Sequence, residues 1–544
     1  MPAAGTRVPV TVAPDMTARQ IEGEHDTLVD VLRAAARVNA DVEAYVEPAT
    51  PDGPRRAMTF AQWDRAADGV AGLLARHGVG PGSVVCLLLQ SSIDYMIAYA
   101  AIVRLGAVTS GINLRLAAPE AASIIQRTRP VVAIVDDGAP VPDGPIGTVL
   151  RRGECMVAVD GPPPASWPVL DRSDPVAVVW TSGTTGLPKG AVFDHDNLRA
   201  VADGTDVLSE PGDRRLSPLP FAHVGSMTRV WDEAANGITT VITPTPWRAA
   251  DAVAVMAAER ITVAQGVPTQ WALVLARPEL TAVDVSALRI AGTGASRVPP
   301  ELVASLRTVL GVPVCVRYTS TEASLGTGTV PGDPDDAVAV TVGRPVPGVS
   351  LQVADEHGAP VATGDVGRVR LRSAAVMRGY WGGPPTGPGA GGLVFDQAAT
   401  SAVLDADGWL TTGDFGYLDA DGRLHLVGRA NELYIRGGYN VYPAEVEGVL
   451  GEHPDVAQVA VVGADDPVLG EVGVAFVVPS AGSDVDADAL LAELRETARA
   501  SLADYKAPDR VVVVDSLPLT SMMKVDKRAL ADRAALDTNG AHLR

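Results

Sequence analysis

The chain has 544 residues, of which 47% are hydrophobic and 20% are charged, and it carries a formal net charge of −21. This length is too great for one compact core and predicts at least two domains, while the composition is that of a globular enzyme and excludes a disordered chain. The acidic balance excludes nucleic acid as a partner. No apolar run approaches the roughly 20 residues of a membrane span, and no signal-like pattern opens the chain. We therefore expect a cytoplasmic protein.

Helical and strand-like segments alternate through the first part of the chain. Residues 1–24 are predicted to be an irregular lead, after which the pattern favours, in order, a helix from Leu28, a helix over 60–77, a strand over 84–89, a helix over 94–105 and a strand over 131–135. Strands separated by helices are typical of parallel sheets. The sequence therefore predicts an α/β fold for a large N-terminal domain, which we bound at residues 25–430.

Stretches rich in glycine and proline interrupt this pattern at residues 138–145, 161–168 and 382–392. Glycine and proline in such density favour loops. The third stretch follows Tyr380 and Trp381, and we expect it to be a mobile surface insertion.

A second domain is predicted after a shift in composition near residue 430. The pattern then favours a strand over 432–436, a helix over 444–450, strands over 456–462 and 472–479, a helix over 486–501, a strand over 510–514 and a helical tail. These elements make a small α+β unit, large enough to fold alone. We bound this C-terminal domain at residues 431–544.

Cysteine and lysine are both scarce. The three cysteines, Cys86, Cys155 and Cys315, lie far apart and form no CxxC pair, so reduced thiols are expected. Only four of the 44 basic residues are lysines: Lys189, Lys506, Lys524 and Lys527. Arginine supplies nearly all of the basic side chains, so a lysine that is retained in this chain favours a site that needs a compact ammonium. The alternative is that these lysines are retained by chance.

The strongest motif is a loop of hydroxyls and glycines that follows an apolar strand and ends in one of these lysines. Its residues are Thr181, Ser182, Gly183, Thr184, Thr185, Gly186, Leu187, Pro188 and Lys189. Glycines let backbone N–H groups point inward, hydroxyls add donors and lysine adds a charge, so the loop can wrap a polyphosphate. The GxxxxGK[ST] spacing of a Walker A loop is absent. The alternative is a surface turn rich in serine, threonine and glycine.

This loop resembles the phosphate-binding motif of the acyl-adenylate-forming superfamily, which includes acyl-CoA synthetases, adenylation domains of peptide synthetases and beetle luciferases. Further segments resemble other motifs of that family in the same order, between about residues 28 and 532. They are Pro218–His223 at the acid pocket, Gly294-Ala295-Ser296 at the adenine, Tyr318-Thr319-Ser320-Thr321-Glu322, Thr412-Gly413-Asp414, Gly428-Arg429 continuing to 437–447, and Leu517–Thr520 followed by Lys524. The resemblance implies a large N-terminal domain with a small mobile C-terminal lid.

The same resemblance implies a reaction in which a carboxylate attacks the α-phosphorus of ATP and expels pyrophosphate. Lys524 is the expected bridging charge between the acid and the α-phosphate, and Glu322 is the expected Mg²⁺ ligand. Asp414 is expected to accept the ribose hydroxyls and Arg429 to close over the ribose or phosphate. Taken singly, these residues have ordinary alternatives: Asp414 as a turn residue and Lys524 as a surface charge.

Other residues are assigned in the same way. Lys189 and Thr184 are expected at the phosphates, and His223 at the acid. Tyr318 offers a face for stacking on adenine. The remaining residues expected to line the nucleotide site are Thr181, Ser182, Gly183, Thr185, Gly186, Gly294, Ala295, Ser296, Thr319 and Thr321.

For the second half-reaction, the resemblance implies that the C-terminal domain rotates about a residue near Arg429. Gly437 and Gly438 would then line a tunnel for the pantetheine of CoA, the alternative being an ordinary β-turn. Three positions depart from the family pattern: the hinge residue is Asn431, a pocket glycine is Thr319, and the residue before Lys524 is Met523. Thr319 favours a slender acid.

Several functions remain open at this stage. The first is an acid:CoA ligase for a slender aliphatic or aryl acid, and Val224 after His223 favours CoA slightly over a carrier protein. The second is a stand-alone enzyme that loads the phosphopantetheine of a carrier protein. The third adenylates a small acid such as nitrite for attack by an amine. The fourth is a non-catalytic ATP-binding protein, which the retained Lys189, Glu322, Asp414 and Lys524 argue against.

Overall fold

The structure is a computed structural model that describes residues 18–51, 53–181, 188–296, 298–383, 394–480, 483, 486–520 and 524–541. Across these ranges, no helix combines the length and the apolar character that crossing a bilayer requires. The predicted helix over 94–105 is observed over Ile93–Arg104, and every one of its residues is buried. This segment is therefore a core helix.

Helices occur throughout the chain. The α-helices are α1 (Leu28–Val38), α2 (Phe60–Arg76), α3 (Ile93–Arg104), α4 (Ala118–Thr128), α5 (Arg152–Met156), α6 (His195–Asp203), α7 (Val224–Met227), α8 (Val230–Ala235), α9 (Ala249–Ala258), α10 (Pro268–Leu275), α11 (Pro300–Leu310), α12 (Asp335–Val340), α13 (Gln397–Ser401), α14 (Pro443–Leu450), α15 (Ala487–Ser501) and α16 (Lys527–Ala541). Short 3₁₀ segments lie at Val157–Asp160, Asp206–Leu208, Pro278–Thr281 and Asp504–Lys506.

Strands alternate with these helices. They are β1 (Glu43–Glu47), β2 (Arg56–Thr59), β3 (Val84–Leu88), β4 (Val108–Gly111), β5 (Val132–Val135), β6 (Thr148–Arg151), β7 (Pro175–Thr181), β8 (Lys189–Asp194), β9 (Arg214–Ser217), β10 (Thr239–Ile242), β11 (Val263–Gly266), β12 (Ile290–Gly294), β13 (Val314–Tyr318), β14 (Thr327–Gly328), β15 (Arg344–Pro345), β16 (Ser350–Ala354), β17 (Gly367–Arg372), β18 (Gly379–Gly383), β19 (Val394–Phe395), β20 (Leu410–Leu418), β21 (Leu424–Arg429), β22 (Tyr434–Arg436), β23 (Tyr439–Val441), β24 (Val456–Asp466), β25 (Gly470–Pro479) and β26 (Arg510–Val513).

Among the described residues, the strands form four sheets. One has eight strands in the order β19-β18-β8-β7-β4-β3-β5-β6, and another has nine in the order β15-β14-β13-β12-β11-β9-β10-β1-β2. Their central pairs are parallel, as the alternation of strand and helix predicts. A third sheet, β16-β17-β20-β21, is antiparallel throughout, and a fourth, β23-β22-β25-β24 with β26 beside β25, forms the C-terminal part.

The predicted elements of the N-terminal part are confirmed within one or two residues at their ends. Helix α1 begins where Thr27 and Asp30 form a reciprocal capping box, and α2 where Thr59 and Gln62 do the same. Strand β3 is buried on both faces, which explains its unbroken apolar run. The three cysteines are buried and form no disulfide.

The predicted insertion over 382–392 is wrong at its start. Gly382 and Gly383 belong to β18, which pairs with β19, and the rest of the stretch lies outside the described residues. A Cβ at Gly382 would lie 2.6 Å from the carbonyl carbon of Phe395. Glycine here therefore allows two strands to approach closely, and does not mark a loop.

Candidate active site

The predicted phosphate loop connects two antiparallel strands. Strand β7 ends at Thr181, β8 begins at Lys189, and these two residues are paired in register. The pairing brings the first threonine and the closing lysine of the motif opposite each other on neighbouring strands. Ser182, Gly183, Thr184, Thr185 and Gly186 lie outside the described residues.

A tyrosine links the end of this loop to Glu322. Lys189 Nζ lies 5.3 Å from the centroid of the Tyr380 ring, and the Tyr380 hydroxyl donates a 2.7 Å hydrogen bond to Glu322 Oε1. Burial and the Glu322 carboxylate raise the pKa of Tyr380, so the hydroxyl keeps its proton. The bond orients the carboxylate and uses one of its oxygens, which leaves Oε2 as a ligand atom for a cation.

Arg127 of α4 binds the residue that follows the same loop, a role that no pattern in the sequence indicates. Its guanidinium donates to the carbonyl oxygen of Pro188 at 2.5 Å and to that of Trp381 at 2.9 Å. It also lies over the Trp180 ring, 5.2 Å from the centroid. Arg127 thus fastens the residue before Lys189 to both neighbouring strands. An arginine on an amphipathic helix carries no sequence signal for contacts so distant along the chain.

The predicted adenine loop follows β12, beside the end of β13. The two strands are parallel, with Gly294 opposite Arg317, so Gly294 and Tyr318 lie at the same edge of the sheet. A Cβ at Gly294 would lie 2.1 Å from the Arg317 carbonyl oxygen, so only glycine fits there. Ala295 has a φ of +66°, a strained conformation for a residue with a side chain, and Ser296 is exposed.

Tyr318, Asp414 and Arg429 form one network, although they are far apart in sequence. The Tyr318 hydroxyl donates a 2.6 Å hydrogen bond to Asp414 Oδ2, and Arg429 Nε donates a 2.9 Å bond to Asp414 Oδ1. Asp414 and Arg429 are paired across β20 and β21. Burial and the carboxylate raise the pKa of Tyr318 well above its usual value. Asp414 is buried while Arg429 is half-exposed, so the network presents its basic end to solvent.

Lys524 lies close to this network and to His223. Desolvation and the Arg429 charge lower the pKa of Lys524 to about 8, and Asp414 opposes this effect. His223 keeps some solvent contact, yet desolvation and the Lys524 charge lower its pKa to about 4. Its Nδ1 accepts a 3.1 Å hydrogen bond from the backbone N–H of Gly225, at the start of α7. A neutral imidazole and an ammonium of lowered pKa therefore influence one another.

Thr319 and Thr321 follow β13 in the turn that leads to Glu322. Thr319 is exposed and Thr321 is partly buried. A Cβ at Gly326 would lie 2.2 Å from the Tyr318 carbonyl oxygen and 3.4 Å from Thr319 Cα, so Gly326 is tightly packed behind this turn. The backbone at Thr319 consequently has little freedom to move inward.

Gly437 and Gly438 form the turn between β22 and β23. Both have positive φ, +58° and +86°, which glycine adopts without strain. Both are exposed, and a Cβ at Gly438 would meet no heavy atom within 4 Å. In this structure the turn is therefore open, while the charge of Lys524 acts on His223 and is itself influenced by Asp414.

The other two lysines are held by carboxylates in the C-terminal part. Lys506 Nζ lies 2.6 Å from both oxygens of Glu445. Lys527 Nζ lies 2.7 Å from Glu432 and 2.8 Å from Glu447. Both are structural ion pairs, so the scarcity of lysine alone does not identify a site residue.

Comparison with known proteins adds to this geometry. A family model described as AMP-binding enzyme matches residues 32–381, and one described as AMP-binding enzyme C-terminal domain matches residues 445–524. An indoleacetate–CoA ligase of Aromatoleum aromaticum is 34% identical over 493 residues, with 87% of this chain and 92% of that protein covered. A fatty acid–[acyl-carrier-protein] ligase of Streptomyces coeruleorubidus is 33% identical, with 90% and 94% covered.

Solved structures are similar over nearly the whole chain. An anthranilate CoA ligase in complex with anthranoyl-AMP superimposes with a TM-score of 0.82 at 26% identity, with 94% of this chain and 98% of that chain covered. An amide bond synthetase from Marinactinospora thermotolerans superimposes with a TM-score of 0.81 at 27% identity, with 93% and 99% covered.

Proposed function

Because the chain belongs to the AMP-binding enzyme family, we propose that it is an acid:CoA ligase that forms an acyl-adenylate and then transfers the acyl group to CoA. It is an AMP-forming enzyme of the acyl-CoA-synthetase type. One observation supports the more specific proposal: the charge of Lys524, near the end of the chain, interacts with those of Arg429 and Asp414 and lowers the pKa of His223. A cation would thus lie beside groups suited to a nucleotide and to an acid.

The first half-reaction brings two anions together. The carboxylate of the acid attacks the α-phosphorus of ATP, and pyrophosphate leaves with the electron pair of the broken P–O bond. Lys524 would bridge the attacking oxygen and the α-phosphate, where negative charge develops. Asp414 would accept the ribose hydroxyls, oriented by Tyr318 and Arg429, and Lys189 would hold the departing phosphates. Neutral His223 would line the acid pocket without adding charge.

The residues present also fit a magnesium ion. Glu322 offers a partly exposed carboxylate whose orientation is fixed by Tyr380, and Mg²⁺ binds through one or two carboxylates together with phosphate oxygens. When bound, the ion would neutralise phosphate charge that this acidic chain does not otherwise match.

The second half-reaction needs a thiol to reach the adenylate carbonyl. We infer that residues 431–544 form a lid that rotates relative to residues 25–430, with 1–24 as a lead. Rotation would withdraw Lys524 and bring in the turn at Gly437 and Gly438. Both glycines are exposed and have no side chain, so this turn suits the proposed pantetheine tunnel. A cytoplasmic location, where ATP, CoA and reduced thiols are present together, is part of the same proposal.

The acid is proposed to be a slender aliphatic or aryl carboxylic acid. Relatives include ligases named for indoleacetate and for a fatty acid, which supports an apolar acid without choosing between the two classes. Thr319 follows the end of β13, and the tight packing of Gly326 against its backbone supports a fixed position for its side chain, which favours a slender acid.

Transfer to a carrier protein is the second candidate. The relative named as a fatty acid–[acyl-carrier-protein] ligase covers 90% of this chain at 33% identity, so the same scaffold serves that acceptor elsewhere. Both acceptors present the same pantetheine thiol, and they differ only in what surrounds it.

Pyrophosphate release across a panel of acids tests the proposal. The panel should pair short with long aliphatic acids and aryl with alicyclic acids, each with CoA, with a phosphopantetheine carrier protein, and with neither. Acid-dependent pyrophosphate release and an acyl-CoA product are expected. A thioester on the carrier alone would favour the second candidate, and release of pyrophosphate with nitrite but no carboxylic acid would contradict both. Lys524→Ala serves as the inactive control.

A further inference from the structure

A tyrosine of the C-terminal part packs on the antiparallel sheet of the N-terminal part. Tyr442 is the N-cap residue of α14, and its ring centroid lies 5.5 Å from that of Phe415 on β20, with 57° between the ring planes. Phe415 is paired with Gly428 of β21. A Cβ at Gly428 would lie 3.0 Å from Tyr442 Cδ1 and 3.1 Å from Tyr442 Cβ. The tyrosine therefore occupies the space that a side chain at position 428 would need.

A third strand extends this surface. Arg368 of β17 is paired with Phe415, and its guanidinium carbon lies 4.8 Å from the centroid of the Phe415 ring. Burial raises the pKa of Tyr442 and the Arg368 charge opposes this rise, so the guanidinium acts on the phenol as well. Paired residues of neighbouring strands lie on one face of a sheet. Arg368, Phe415 and Gly428 thus form one row across three strands, which we call the Tyr442 notch.

The notch adjoins the ion pair of the candidate site. Phe415 follows Asp414 on β20, Gly428 precedes Arg429 on β21, and Asp414 is itself paired with Arg429. Consecutive residues of a strand face opposite sides of a sheet. The Tyr442 ring therefore packs on one face of β20 and β21 at the place where the other face carries the ion pair of Asp414 and Arg429.

The contact of Tyr442 with the notch crosses the expected hinge. The backbone N–H of Ala430 donates a 2.9 Å hydrogen bond to the carbonyl oxygen of Gly413, so the chain stays on the sheet up to this residue. Asn431 comes next, and Tyr442 lies beyond it. A rotation about Asn431 would carry the Tyr442 ring out of the notch. The contact is therefore compatible with only one of the two lid orientations that the proposed mechanism requires.

Contacts within the lid connect Tyr442 to Lys524. Tyr442 begins α14, and Glu447 of the same helix lies 2.8 Å from Lys527 Nζ. Lys527 begins α16, three residues after Lys524. The backbone of Lys524 is bonded to Thr520, whose N–H donates to the Lys524 carbonyl oxygen at 2.7 Å. Helix α14 thus relates the position of the Tyr442 ring to that of the Lys524 segment.

We propose that Tyr442 is a positioning residue for the first half-reaction. Its ring, packed in the notch, holds the lid in the orientation in which Lys524 acts on the nucleotide site. The inference rests on the proposed function, because it concerns the lid of that reaction. Removing the ring lowers the population of this orientation and favours the other one. Adenylate formation should therefore slow, while transfer to CoA, which uses the turn at Gly437 and Gly438, should not.

Measuring the two half-reactions separately tests this role. Tyr442→Ala should lower acid-dependent ATP–pyrophosphate exchange about tenfold, because one aromatic contact is lost from a two-state balance. Thioester formation from synthetic acyl-adenylate and CoA should stay at the wild-type rate or rise. Tyr442→Phe keeps the ring, and its exchange should stay at the wild-type rate.

Gly428→Ala tests the same contact from the other strand. The φ of Gly428 lies outside the left-handed region, so alanine adds no backbone strain, but its methyl group must displace the Tyr442 ring. Exchange should fall about threefold. In the double variant, exchange should match that of Tyr442→Ala within about twofold, because the methyl group no longer meets a ring.

Tyr417→Ala is the matched control. Tyr417 of β20 stacks on His425 of β21 with 4.6 Å between the ring centroids, so both members of this aromatic pair belong to the N-terminal part. Its loss should lower the unfolding temperature and leave the ratio of the two half-reaction rates unchanged. If Tyr442→Ala does not fold, Gly428→Ala provides an independent answer.

The outcomes separate this inference from the function on which it rests. If no acid supports pyrophosphate exchange in the wild-type enzyme, the proposed function fails, and the inference fails with it. If Tyr442→Ala keeps wild-type exchange or slows both half-reactions equally, the function stands and the inference is overturned. Losses that simply add in the double variant would also overturn it, because the two residues would then not act through one contact.

Discussion

Replacing Lys524 with alanine is expected to stop acyl-adenylate formation while sparing transfer from a supplied acyl-adenylate to CoA. Lys524 lies near Asp414 and Arg429 in the present orientation, and one lysine can serve only one of two lid orientations. Removing a preorganised charge that meets a developing oxyanion lowers the rate by about 10²–10³-fold. The loss should therefore appear in the first half-reaction alone.

The pKa of Lys524 makes this prediction sharper. With a pKa of about 8, the ammonium is about nine-tenths charged at pH 7 and about one-tenth charged at pH 9. Raising the pH through 8 thus removes the useful charge, and kcat/KM for ATP should fall about tenfold over that interval, because this parameter reports the free enzyme. Bound ATP favours the charged form, so kcat at saturating ATP should fall only at higher pH.

The assay is ATP–pyrophosphate exchange for the first step and thioester formation from synthetic acyl-adenylate for the second. Lys524→Arg keeps its charge throughout this range, so its residual exchange should show no decline near pH 8. Lys506→Ala, a lysine variant outside the candidate site, should retain the wild-type profile. The pKa of His223 is about 4, so this residue adds no titration near neutral pH. Equal losses in both half-reactions for Lys524→Ala would refute the assignment.

Three further substitutions test other parts of the site. Gly438→Trp should spare pyrophosphate release and block transfer to CoA by filling the pantetheine path. Gly438→Asn is the control, because asparagine tolerates the positive φ at this position. Normal CoA turnover in Gly438→Trp would exclude a path beside this turn. Tyr318→Phe removes the 2.6 Å hydrogen bond to Asp414, so KM for ATP should rise several-fold and the unfolding free energy should fall by about 1 kcal/mol. Unchanged ATP kinetics would show that the network of Tyr318, Asp414 and Arg429 has no part in nucleotide binding. Thr319→Gly should shift the kcat/KM ratio of a long to a short acid about tenfold towards the long one, and an unchanged ratio would remove Thr319 from the pocket.

Periodicity predicted most of the elements of the fold because they satisfy their own local rules. Helix α1 has its capping box and its amphipathic face within eleven residues, and β3 has an unbroken apolar run because both of its faces are buried. The antiparallel sheet of β16, β17, β20 and β21 was not predicted. Its order follows from long-range pairing, which a local pattern does not carry.

In the candidate site, too, local sequence motifs were predictable and long-range contacts were not. The resemblance pointed to Tyr318, Asp414 and Arg429 one motif at a time, but their joining through a single carboxylate depends on the register of β20 against β21 and on the end of β13. Arg127 was missed altogether, because its partners are backbone carbonyl oxygens, which have no side-chain identity in a sequence.

The scarcity of lysine acquires a physical meaning only when the four environments are compared. Lys506 and Lys527 form ion pairs with carboxylates, as Arg436 does with Asp509. An arginine would therefore form a comparable ion pair at either lysine position. Lys524 differs, because it lies beside Arg429 and its pKa falls to about 8, a shift that an arginine would not undergo within the physiological range. A cationic neighbour therefore marks Lys524, whereas carboxylates hold Lys506 and Lys527, and Lys189 lies over the Tyr380 ring. Rarity directs attention to four candidates, and their electrostatic environments favour Lys189 and Lys524 as the two that we propose to meet the phosphates.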